Sequence, residues 1–205
     1  MTSPTPLQYG QYYHIYNRGN NREKVFFKER NYRYFLRLYA KYAEPVADTY
    51  AYCLLRNHFH FMVRIKTVDE QEQTQTLKVS ETFRVLRPSQ QFSNLFNAYA
   101  KAINKAYGRT GSLFQHPFGR ILVTSDAHFV HLIAYIHHNP QKHGFVEDFR
   151  TWSYSSYHAF LSQQPTRLKR DEVLAWFDGP TMFQESHRQA VSEARIAPLA
   201  PDDFD

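Results

Sequence analysis

Two histidines separated by one residue, His58 and His60 in NHFHFMV, and a tyrosine four residues before an asparagine, Tyr135 and Asn139 in YIHHNP, are the side chains best placed to do chemistry. Strand side chains alternate, so both imidazoles project from one face while Phe59 and Phe61 point to the other. Imidazole suits several divalent metals, and a pair on a rigid strand leaves coordination positions for phosphate oxygens and water. With 11 His in 205 residues, chance alone supplies roughly 0.6 such pairs, so two half-exposed strand histidines are an equal alternative. A tyrosine phenol can attack phosphorus if a metal or base stabilises the developing charge. By spacing alone Tyr135 reads more readily as a core aromatic than as a nucleophile. Asn139 shares its helix face and could give an oxygen to the same metal or cap the helix before Pro140. His137 and His138 compete for that third position.

These residues must be held by strands and helices that the pattern outlines. Residues 9–16 read as a strand ended by the Gly and Asn of NRGNNRE. In ERNYRYFLRLYAKYAE apolar residues recur at helical spacing. Residues 46–55 and 58–65 form a hairpin across Arg56 and Asn57. A second helix follows in QQFSNLFNAYAKAINKAYG, stopped by Gly108. A fourth strand lies in GSLFQHPFGRILVT, interrupted at Pro117. A third helix, capped by Thr124, Ser125 or Asp126, runs to His138, where Pro140 closes it. The order β-α-β-β-α-β predicts an α+β, ferredoxin-like sandwich with one antiparallel sheet and the first and third strands as central neighbours. Residues 66–80 lack apolar periodicity and read as a mobile surface insertion. Short helices are expected beyond residue 150. The expected division is a catalytic domain over 1–160, a helical extension over 161–195 and a disordered acidic tail over 196–205.

Composition narrows the partners. The chain carries 25 Lys+Arg against 19 Asp+Glu, a net +6, and 17% aromatic residues. Basic surface interleaved with rings suits single-stranded nucleic acid, because rings stack on bases and cations track phosphates. No apolar run approaches the ~20 residues of a membrane span. MTSPTPLQYG shows no export signal, so a cytoplasmic location is expected. The single cysteine, Cys53, excludes an internal disulfide framework and reads as a core thiol. No Gly-x-x-x-x-Gly-Lys loop occurs, so no nucleotide cofactor is expected.

NHFHFMV, YIHHNPQKHGFV and WSYSSYHAF, with the opening YHIYNRGNNRE, closely resemble the HUH single-tyrosine transposases, especially those associated with repetitive extragenic palindromes. The resemblance spans about residues 9–160. It implies a ferredoxin-like nuclease that binds hairpin-bearing or palindromic single-stranded DNA. Cleavage leaves a 5′-phosphotyrosine and a 3′-hydroxyl, and attack by another 3′-hydroxyl reseals the strand. By position, His58 and His60 match the metal-binding pair and Tyr135 the nucleophile. Asn139 stands where insertion-sequence relatives carry a metal-binding Gln, one methylene longer. Mg or Mn is the implied ion, and both monomer and homodimer are open.

For DNA contacts the candidates are Asn17, Arg18, Asn21 and Arg22 after the first strand, Lys101, Lys105 and Arg109 on or after the second helix, and Arg120, Lys142 and His143. Each is also ordinary charged or polar surface. The rival functions are a replication initiator or relaxase, a domesticated or non-catalytic nucleic-acid-binding protein, and a phosphodiesterase in which water attacks.

Overall fold

Four strands, Tyr12–Arg18 (β1), Ala47–Leu54 (β2), His58–Ile65 (β3) and Gly119–Val123 (β4), form one antiparallel sheet ordered β2-β3-β1-β4. In this computed structural model, residues 6–76, 85–189 and 193–199 are described. Helices Glu29–Tyr42 (α1), Val68–Thr76 (α2), Pro88–Tyr107 (α3) and Asp126–Lys142 (α4) precede four short ones: Tyr157–Leu161 (α5), Arg170–Trp176 (α6), Pro180–Ser186 (α7) and Glu193–Ile196 (α8). The α+β, ferredoxin-like expectation holds, and β1 and β3 are the central pair.

Strand alternation sorts the sheet into two faces. Tyr13, Ile15, Phe59, Phe61 and Val63 join Phe35 and Tyr39 of α1 and Phe92, Leu95 and Tyr99 of α3 in one buried cluster. Each buried Phe there contributes about 2 kcal/mol relative to exposure. On the other face Met62 and Cys53 meet Leu132, Ile133 and Ile136 of α4, together with the C-terminal helices. His58 and His60 lie on this second face, in phase with Met62, so α4 is the helix that closes over them.

Four boundaries depart from the sequence reading. β1 begins at Tyr12 rather than residue 9, because the chain turns at Tyr9 and Gly10, whose N–H bonds the Ile65 carbonyl. Much of the supposed mobile insertion is α2. Thr67 and Glu70 build a capping box, with Glu70 accepting from Thr67 N at 2.8 Å and Thr67 Oγ1 accepting from Glu70 N at 3.3 Å. Glu70 also pairs with Arg64 at 2.6 Å. Residues 77–80 of that insertion lie outside the described residues.

Pro140 does not stop α4, which continues to Lys142. Pro140 removes a single ladder bond in the last turn, and the actual stop is Gly144 at φ 67°. Gly144 N donates to Gln141 O and Phe145 N to Pro140 O, the two bonds of a Schellman ending. The tail expected from residue 196 is in part built into the core: Ile196 and Leu199 are buried against the α4 face. Residues 200–205 lie outside the described residues.

Candidate active site

His58 and His60 are buried, at 3% and 2% exposure, with ring centroids 5.1 Å apart. Across the ladder on β1 stand Arg18, opposite His58, and Tyr16, opposite His60. The Tyr16 ring lies over Gly119 of β4, where a Cβ would come within 2.2 Å of it. A cleft of about 290 Å³ opens here, lined in part by Tyr16, Arg18, His58, His60 and Phe118.

Both imidazoles are oriented through Nδ1. His58 Nδ1 lies 2.8 Å from Asn57 Oδ1, an acceptor, so it donates and leaves its lone pair on Nε2. His60 Nδ1 lies 2.9 Å from Nε2 of His14, and His14 Nδ1 in turn reaches the Leu199 carbonyl. His14 was missed in the sequence. It sits two residues before Tyr16 on the same face, so strand alternation combined with β1–β3 pairing was the available signal.

Helix α4 carries the remaining groups to this spot. The Tyr135 ring stands edge-on to His60 with centroids 5.7 Å apart, and Tyr135 is buried at 2% exposure. One turn on, Asn139 Nδ2 donates to the Tyr135 carbonyl at 2.9 Å. The Asn139 side chain interacts with His58, favouring charge on that ring. Neither His58 Nε2 nor Asn139 Oδ1 has a hydrogen-bond partner. Two buried lone-pair atoms without a donor cost about 1–3 kcal/mol each, a cost that a bound cation would offset. Lys142 and His143 end the helix at the same place: the Lys142 ammonium lies 5.2 Å from the Tyr135 ring centroid, and the His143 ring 4.7 Å from that of His58.

Electrostatics favour neutral imidazoles. Burial holds His58 and His60 well below the usual imidazole range, and neighbouring rings and Arg18 push the same way. Burial likewise pushes His143 down to about 4. Neutral His with Nε2 lone pairs, beside an amide oxygen, is a donor set that fits a divalent ion with phosphate oxygens completing its shell. Among the described residues no group of three His, Cys, Asp or Glu has metal-holding geometry, so a metal at this site would need an amide or a substrate oxygen as its third donor.

His138 and His137 are turned elsewhere. His138 Nε2 meets the His187 carbonyl at 2.9 Å and its ring stacks on Phe149. His137 bonds His187 and Ser156, both at 2.8 Å. Neither competes for the third position.

The DNA-contact candidates divide. Arg18 and Asn17 line the cleft, Lys142 is beside the tyrosine and His143 beside His58. Asn21 and Arg22 are exposed, in left-handed backbone just beyond β1. Lys101 and Lys105 are exposed on α3, across the sheet from the His pair. Arg109 pairs with Glu23 at 2.7 Å. Arg120, opposite Ile15, lies on the α3 side, 3.8 Å from the Phe118 ring centroid and bonded to Ser89.

No family model matches the chain. It is 28% identical over 113 residues, 54% of its length, to a protein of Haemophilus influenzae described as a REP-associated tyrosine transposase. The match spans 59% of that relative. The fold is similar to that of a solved REP-associated tyrosine transposase bound to a REP hairpin, with TM-score 0.58 and 15% identity, covering 80% of this chain and 88% of the other. No helix among the described residues is long and apolar enough to cross a membrane.

Proposed function

We propose that this chain, similar in sequence and fold to the REP-associated tyrosine transposases, is a metal-dependent nuclease and strand transferase acting on hairpin-bearing single-stranded DNA. The observation that carries the reading is the meeting of Tyr135, Asn139, His58 and His60, from a helix and a strand more than seventy residues apart, in one buried site. A structural role for each residue separately does not require the four to meet, nor the His58 Nε2 and Asn139 Oδ1 atoms to be buried there without a hydrogen-bond partner.

His58 Nε2, His60 Nε2 and Asn139 Oδ1 are the atoms that would hold Mg or Mn. The ion would neutralise charge on the scissile phosphate and on the departing 3′-oxygen. Arg18, at the cleft wall, attracts the strand's phosphates into place. Tyr135 attacks phosphorus in line: a phenolic O–P bond forms, the P–O3′ bond breaks, the phenol releases its proton to solvent, and the 3′-oxygen takes one up. Lys142, over the Tyr135 ring, stabilises the developing phenolate charge. Because the phosphotyrosine retains the diester's energy, a second 3′-hydroxyl can reverse the step and rejoin DNA without a nucleotide cofactor.

The test incubates the protein with end-labelled hairpin-bearing single strands and Mn, then denatures and resolves the products. A covalent protein–DNA adduct is expected. Cleaved DNA without adduct would place the chain among water-using phosphodiesterases, and binding without cleavage would make it a non-catalytic DNA-binding protein.

A further inference from the structure

We propose that His14 is a positioning residue for His60, holding it through a chain that begins at the Leu199 carbonyl in the tautomer whose Nε2 carries the lone pair. Leu199 O can only accept, so His14 Nδ1 donates to it. His14 is fully buried, where an unpaired charge is costly; its neutral ring has one N–H, already used, and its Nε2 is an acceptor. His60 Nδ1, 2.9 Å away, is therefore the donor in that contact. The lone pair of His60 falls on Nε2, the atom on the side of the site. The opposite tautomer would face two lone pairs across a buried 2.9 Å gap.

The origin of this chain lies outside the four-stranded core. Ile196 and Leu199 are buried in the same apolar cluster as α4, which fixes the carbonyl, and the contact it makes spans 185 positions of sequence. The C-terminal segment thus sets the protonation pattern of a β3 side chain through a single β1 residue. The consequence for metal affinity rests on the proposed function; the tautomer does not.

The experiment has two independent arms on the full-length protein. Long-range proton–nitrogen correlation spectra of metal-free, 15N-histidine-labelled protein should show both His14 and His60 as Nδ1–H tautomers. An Nε2–H His60 would overturn the proposal without any variant. In the second arm, Mn is titrated and free Mn read by electron paramagnetic resonance. His14→Leu should weaken binding by about 10- to 100-fold, as losing a ligand's orienting partner does. His14→Gln, whose amide oxygen can accept from His60 Nδ1, should recover most of it. Wild-type affinity in a folded His14→Leu, or no recovery in a folded His14→Gln, would count against the proposal. If wild type binds no Mn, the metal reading fails, and the tautomer spectra alone decide the role of His14.

Discussion

Asn139 Nδ2 donates to the carbonyl of Tyr135 at 2.9 Å, so the residue after one helical turn is anchored to the nucleophile candidate itself while its oxygen is left without a hydrogen-bond partner. One bond thereby ties the proposed third donor to the tyrosine, and shortening the side chain loses both relationships.

Asn139→Ala should lower Mn affinity by at least about tenfold, the low end for losing even a supporting contact, with the same far-ultraviolet circular dichroism as wild type. Isothermal titration with Mn measures it. Unchanged affinity would remove Asn139 from the donor set.

Tyr135→Phe deletes one oxygen and leaves a buried ring, so the thermal midpoint should stay close to wild type. Hairpin DNA binding should persist while the covalent adduct vanishes. An adduct retained in this variant would move the nucleophile to another residue.

Gly119→Ala places a methyl group 2.2 Å from the Tyr16 ring. Overpacking of this kind costs about 1–3 kcal/mol, and here the ring that must move walls the cleft beside His60. Chemical denaturation should show the loss, and cleavage should fall more than stability does. A fully stable, fully active variant would mean that Tyr16 has room to rotate away.

Stability should fall on the acid side through His187. Burial lowers its pKa to about 4 from the ordinary 6.5, so the folded state resists protonation more than the unfolded chain. The neutral form's contribution is complete above pH 6.5 and is lost as pH falls from 6.5 toward 4. Linkage puts the full effect on the order of 3 kcal/mol. Urea midpoints at pH 7.5 and 5.0 should differ less in His187→Gln than in wild type, and an equal pH dependence in the two would refute the shift.

Local pattern made much of the fold legible. The hairpin reading across Arg56 and Asn57 placed β3 at its observed limits, 58–65, helical spacing found α1 and α3, and a capping residue before HFVHLIAYIHH found α4. Local pattern also put His58 and His60 on one face and Tyr135 and Asn139 on another. Misreadings arose where a nearby residue overrode a general tendency. Pro140 predicted a helix end that the Gly144 Schellman bonds postponed, and Thr67 with Glu70 started a helix whose apolar periodicity was too weak to show.

What sequence by itself determined was therefore the chemistry of each side chain and the face it leaves from, because alternation and helical phase are local properties of backbone geometry. Which faces meet was decided only by tertiary structure. The α4 stripe packs on the β2–β3 side of the sheet, which brings Tyr135 to His60, turns His138 away toward His187, and leaves Lys101 and Lys105 across the sheet. The contact from Leu199 to His14 and on to His60 lay furthest from view. It joins the far end of the described chain to its first strand, and no periodicity encodes a contact made by a backbone carbonyl that burial of distant apolar side chains holds in place.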